Sequence, residues 1–153
     1  MINRLDPQNP SSSAESSPKD KVALDLMTIG QRIRACVFPE IDGVVGIGSG
    51  GVVPAALIAY ELERPLTLLS INFRAPDNSP RHRQPRLLNT IELPEDRQRL
   101  LLVDDVSVSG QTMALAKELL AGHQVTTLVM KGRADIVLFP EIGRCVQWPW
   151  QLT

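Results

Sequence analysis

Aromatic side chains are scarce. Phe, Trp and Tyr make up 4% of the 153 residues, too few for the exposed ring platforms on which proteins stack RNA bases. No sign of charge dominates either: 16 basic residues against 17 acidic leave a formal charge of -1. That balance has no footprint for nucleic acid or for an anionic membrane. The two cysteines, Cys36 and Cys145, form no CxxC pair, and His82 and His123 are isolated, which argues against structural zinc. A single charge-free run, Gly43 to Tyr60, approaches the length of a membrane span. Gly46, Gly48, Gly50, Gly51 and Pro54 interrupt it, so a strand, a glycine loop and a helix in a soluble core explain it better. No charged segment leading into an apolar one opens the chain, which points to the cytoplasm.

Hydrophobic residues amount to 43%, enough for one core in one domain. Residues 1–18, rich in Ser, Pro and Asn, read as a flexible tail, and 19–153 as the domain. Asp20 can cap a helix carrying Val22, Leu26, Ile29 and Ile33 on one face, ended by Pro39. Val44–Ile47, Leu66–Phe73, Leu100–Val103 and Val125–Met130 read as buried strands. Leu87–Leu93 suits an edge strand and Ile136–Phe139 a last one. Helices follow GSGG, to about Glu61, and run from Thr112 to Leu120, with Gly122 as a stop. This alternation predicts an α/β fold with a mostly parallel central sheet flanked by helices.

The chemistry concentrates in LLLVDDVSVSGQT, residues 100 to 112. An apolar strand leads into Asp104 and Asp105, then a turn of small residues, then a helix. Ligands bind at the carboxyl ends of parallel strands, and glycine turns at helix N-termini cradle phosphate. Adjacent carboxylates can accept hydrogen bonds from a sugar diol or help hold a metal.

This segment resembles the phosphoribosyl-pyrophosphate (PRPP) motif of the type I phosphoribosyltransferases. The resemblance covers roughly residues 40 to 150 and implies that family's fold with a short C-terminal hood. It implies a Mg²⁺-dependent pentosyltransferase that moves the 5-phosphoribosyl group from PRPP to a nucleobase in nucleotide salvage, and a homo-oligomer, dimer or tetramer. Asp104 and Asp105 would bind the ribose hydroxyls and the metal. Val106, Ser107, Val108, Ser109, Gly110, Gln111 and Thr112 would form the phosphate loop. Ser49, Gly50 and Gly51 resemble the pyrophosphate loop, although most relatives carry Arg or Lys where Ser49 stands. A dinucleotide fold would want an acid at the end of the next strand, where Arg74 follows Phe73 instead.

The segment Arg74 to Arg86 corresponds to the family's closing loop. There Arg81 and Arg83 would reach the pyrophosphate, and the rival reading is a solvated basic loop. Lys131 matches the residue that contacts the purine 6-oxo group in xanthine-guanine phosphoribosyltransferases, making a 6-oxopurine the leading acceptor. Those enzymes usually carry an Asp where Val108 stands, so Val108 would face the base. The stacking aromatic would fall near Cys145, with Phe139 or Trp148 as substitutes. Core packing is the other reading of Trp148 and Trp150. Two further functions stay open: a non-catalytic PRPP- or nucleotide-binding regulatory module, and a transferase acting on a pyrimidine.

Overall fold

The computed structural model describes residues 20–72, 86–87, 89 and 91–152. The expected tail and the closing loop with Arg81 and Arg83 lie outside them. In chain order the elements are β1 (Val22–Ala23), α1 (Leu26–Ala35), β2 (Gly43–Gly48), α2 (Val52–Leu62), β3 (Leu66–Asn72) and β4 (Arg86–Leu87). Then come β5 (Arg99–Ser107), α3 (Gln111–Leu119), β6 (Gln124–Gly132), β7 (Ile136–Val137) and β8 (Val146–Gln147). The central sheet has the order β4-β3-β2-β5-β6-β7, parallel throughout except for β4.

Both faces of that sheet are buried, as its uninterrupted apolar strands require. Leu101, Val103, Leu128 and Met130 face one layer, with Ile29 and Ile33 of α1 and Ala55 and Ile58 of α2. Leu100, Leu102 and Val129 face the other, against Met113 and Ala116 of α3. Among the described residues no helix is long and apolar enough to cross a membrane.

The first helix starts later than expected. Asp25 rather than Asp20 caps it, accepting from the Thr28 N–H at 2.7 Å. Val22 is drawn into β1, which pairs with β8, and its N–H donates to Cys145 O at 2.9 Å. Pairing with the chain's C-terminal end thus takes residues that local spacing assigns to a helix. The helix also stops before Pro39, at Cys36, whose backbone is extended. The expected edge strand shrinks to Arg86–Leu87. Asn89 continues its pairing by side chain, accepting from Ser70 N at 2.6 Å and donating to Leu68 O at 3.0 Å.

At the strands' amino ends Asp42 binds Arg99: its Oδ1 takes Nη2 at 2.7 Å, and its Oδ2 takes Nε at 3.0 Å and the backbone N–H at 2.8 Å. These bonds hold the Asp42 carboxyl down at about 2. A depressed carboxyl stabilises the fold above its unfolded pKa and loses that contribution as pH falls through the folded value. Asp42→Asn should therefore lower the urea midpoint at pH 7, with the gap to wild type closing between about pH 4 and pH 2. A gap as large at pH 2 as at pH 7 would refute this account.

β2 and β5 lie side by side at the centre, yet the chain leaves β2 toward β3 and leaves β5 toward β6. The carboxyl ends of those two strands therefore open a crevice at the topological switch point, where α/β sheets bind ligands.

Candidate functional site

Two turns meet at that crevice. After β2, Ser49, Gly50 and Gly51 lead into α2, with the Gly51 N–H donating to Ile47 O at 2.8 Å. After β5 comes the turn from Val108 to Gly110. Here the structure corrects the expected strand end: β5 does not stop at the acid pair but runs through it to Ser107, because β6 pairs with it that far. Val106 lies opposite Lys131, and Ser107 opposite Gly132.

Asp104 and Asp105 are thus adjacent strand residues near the carboxyl end of β5, with carboxyls close enough to act on each other. Asp105 sits on Gly50 so closely that a Cβ there would lie 2.6 Å from the carboxyl Cγ. A glycine read as room for an anion is also the seat of a carboxylate. Each acid accepts the N–H of the residue after it, Asp104 from Asp105 at 2.8 Å and Asp105 from Val106 at 2.7 Å. No ion pair holds either one among the described residues.

Burial is the first cause that pushes the Asp104 carboxyl well above the usual range, and the Asp105 charge beside it adds to this. Burial also raises Asp105, against the lowering effect of the Val106 N–H. Two half-buried carboxylates without a cation are costly in a resting fold, and they mark a functional site.

Beside them α3 begins at Gly110, whose φ of 76° places it in the left-handed region, and no side chain caps the helix. The Thr112 and Met113 N–H groups of its first turn point out of the helix start, where a ligand could accept from them. Ser109 Oγ receives the Gln111 N–H at 3.4 Å, and Val108 is 74% exposed.

The base-side residues are less well assembled. The Lys131 ammonium donates to Arg144 O at 2.5 Å and Gly143 O at 3.5 Å, which ties it to the hood. Phe139 is 1% exposed and lies under the Arg32 guanidinium, 4.4 Å from its ring centroid. Trp148 is also 1% exposed and stacks parallel to Trp150 at 5.4 Å. Neither ring is free to cover a base, so both are corrected from stacking candidates to core residues. The hood spends its aromatics on closing the layer over α1. Sequence reading passed over Gly132, whose φ of 116° is the signal that only coordinates supply.

An acid pair at a switch point, with a glycine turn beneath it and a helix start without a side-chain cap beside it, forms a candidate ligand site on an α/β sheet. The chain belongs to the phosphoribosyl transferase family: residues 18–133 match the family described as "Phosphoribosyl transferase domain". It is 27% identical over 119 residues to a xanthine-guanine phosphoribosyltransferase of Idiomarina loihiensis, covering 74% of this chain and 73% of that protein. It is 31% identical over 115 residues to the protein of the same name from Nitratidesulfovibrio vulgaris, covering 71% and 68%. The fold matches the crystal structure of a purine phosphoribosyltransferase from Pyrococcus horikoshii with a TM-score of 0.71 at 21% identity, over 88% of this chain and 96% of that one.

Proposed function

We propose that this chain transfers the 5-phosphoribosyl group of PRPP to a 6-oxopurine base. The observation that carries the reading is the Asp104–Asp105 pair, half-buried and free of cations among the described residues, between Gly50 and the start of α3. Names of the two bacterial relatives support a purine acceptor, as does Lys131 at the end of β6.

In this reading the turn Ser109–Thr112 holds the 5′-phosphate on backbone N–H groups. Asp104 and Asp105 accept hydrogen bonds from the ribose hydroxyls, and their negative charge favours a cationic ribosyl carbon as the bond to pyrophosphate breaks. Ser49, Gly50 and Gly51 present backbone N–H groups and one hydroxyl but no cation to the leaving group, so little of its charge is neutralised there. The donor set fits Mg²⁺: two adjacent carboxylates stand at the carboxyl end of β5. Mg²⁺ takes that form of site, with one or two carboxylates and the rest from substrate oxygens and water. When bound, it would neutralise pyrophosphate charge. Lys131 would reach the purine 6-oxo group by releasing the Arg144 carbonyl. The reading includes a homo-oligomer, with the exposed Tyr60 and Leu66 as part of the covered face.

The test is pyrophosphate release from PRPP and Mg²⁺ against a panel of bases, with PRPP binding by calorimetry and mass by light scattering on the same sample. Release dependent on guanine, xanthine or hypoxanthine is expected, from a particle larger than the monomer. PRPP binding with no release for any base would replace the transferase by a binding module. Release with pyrimidines alone would overturn the acceptor, and a monomer would remove the oligomer.

A further inference from the structure

Two cations hold the hood loop 140–144. Lys131 is one, through the Gly143 and Arg144 carbonyls. The other, Arg32 of α1, belongs to neither the phosphate turn nor the acid pair. Its Nη2 donates to Glu141 Oε1 at 2.5 Å and its Nη1 to Glu141 Oε2 at 3.2 Å, a two-pronged pair. Nη1 also donates to the Leu138 carbonyl.

The fork is set in place before it meets the carboxylate. It lies over the Phe139 ring, and Phe139 packs in one core cluster with Ile29 and Ile33 of the same helix. That support removes much of the side-chain entropy that weakens an exposed ion pair. The Arg32 guanidinium in turn holds the Glu141 carboxyl below the usual carboxylate range.

Other ties on the loop are few. Phe139 N–H donates to Met130 O at 2.9 Å, the last rung on the sheet side, and Pro140 has no N–H to give. Ile142 N–H donates to Phe139 O at 3.3 Å, and among the described residues the Gly143 and Arg144 N–H groups donate to no backbone carbonyl. Strand pairing resumes only at Val146, against Val22 of β1. A base that draws Lys131 off its two carbonyls therefore leaves Arg32 to hold the loop.

We propose that the Arg32–Glu141 pair is a positioning device for base binding, keeping loop 140–144 in place while Lys131 leaves the hood for the base. The purpose rests on the transferase reading, whereas the geometry of the latch does not. Arg32 and Glu141 act through the loop and carry out no chemistry.

Backbone amide relaxation, measured by NMR on the full chain, reads the loop without any base. Lys131→Ala should leave Gly143 and Arg144 ordered, with order parameters of about 0.85, because the pair remains. Lys131→Ala/Glu141→Gln should drop them below about 0.6. In the release assay with guanine, Glu141→Gln alone should raise the KM for the base about fivefold, while kcat and the Kd for PRPP hold. Arg32→Lys keeps the charge and loses the fork, so its KM should fall between those of wild type and Arg32→Ala. The Glu141 side chain is 52% exposed, so the melting temperature of Glu141→Gln should stay within about 2 °C of wild type. Equal order parameters in the single and double Lys131 variants, or a base KM untouched by Glu141→Gln, would overturn the proposal. Should no base give release, the transferase reading falls, and the relaxation data alone decide whether the pair holds the loop.

Discussion

Gly132→Ala should cost about 3 kcal/mol of stability, while Gly122→Ala costs about 1 kcal/mol. Both glycines have positive φ, 116° and 95°, so both substitutions incur the left-handed penalty. They differ in surroundings. A Cβ on Gly122 meets nothing within 4 Å, whereas one on Gly132 would lie 2.9 Å from Ser107 C, 3.0 Å from Ser107 N, and closer still to the carbonyl oxygen. Backbone cannot rotate out of the way as a side chain can, so the last rungs of the β5–β6 ladder must open. Those rungs carry Ser107 and Arg133, so the phosphate turn should shift as well. Urea unfolding of the two variants reads the difference, and equal losses would refute the steric account.

Asp104→Asn with Asp105→Asn should weaken PRPP binding by at least about a hundredfold and yet raise thermal stability at neutral pH. The first effect follows because an amide gives a sugar hydroxyl and a cation far less than a carboxylate does. The second follows from the raised pKa values of both acids, whose first cause is burial. A carboxyl with a raised folded pKa supports the fold below its unfolded pKa and loses that support as pH rises through the folded value. Wild type and variant should therefore melt together near pH 3, with the variant ahead as pH rises above about 4. PRPP binding retained by the variant would remove the transferase and the binding module alike. A variant less stable than wild type at pH 7 would show instead that the acids hold the crevice together.

Much of this site is legible along the chain because its parts are adjacent there. An apolar strand, two acids, small residues, a glycine and a helix follow one another from Leu100 to Leu119, so local pattern finds them. The strand boundary was misplaced because pairing with β6 carries β5 past its apolar run, and periodicity cannot see a partner strand. Base-side residues were harder. Lys131 stands at the end of β6 as its motif implied, but its amine is spent on hood carbonyls. Phe139 reads along the chain as a substitute stacker and Trp148 as either stacker or packing residue, and only the cluster with α1 places both in the core.

Composition and hydrophobic period by themselves determined the fold class: continuous apolar strands alternating with helices can be buried only in a covered parallel sheet. The acid pair and the turn of small residues after it are also legible along the chain, because they are contiguous, and their roles are what the family resemblance implies. The tertiary structure alone decided that Asp105 rests on Gly50, that Gly132 lies against Ser107, and that Val22 pairs with Val146. Each of these joins residues far apart in the chain, through strand neighbours and register. Neither is a property of any local stretch, because both are set by how the whole sheet closes its two cores.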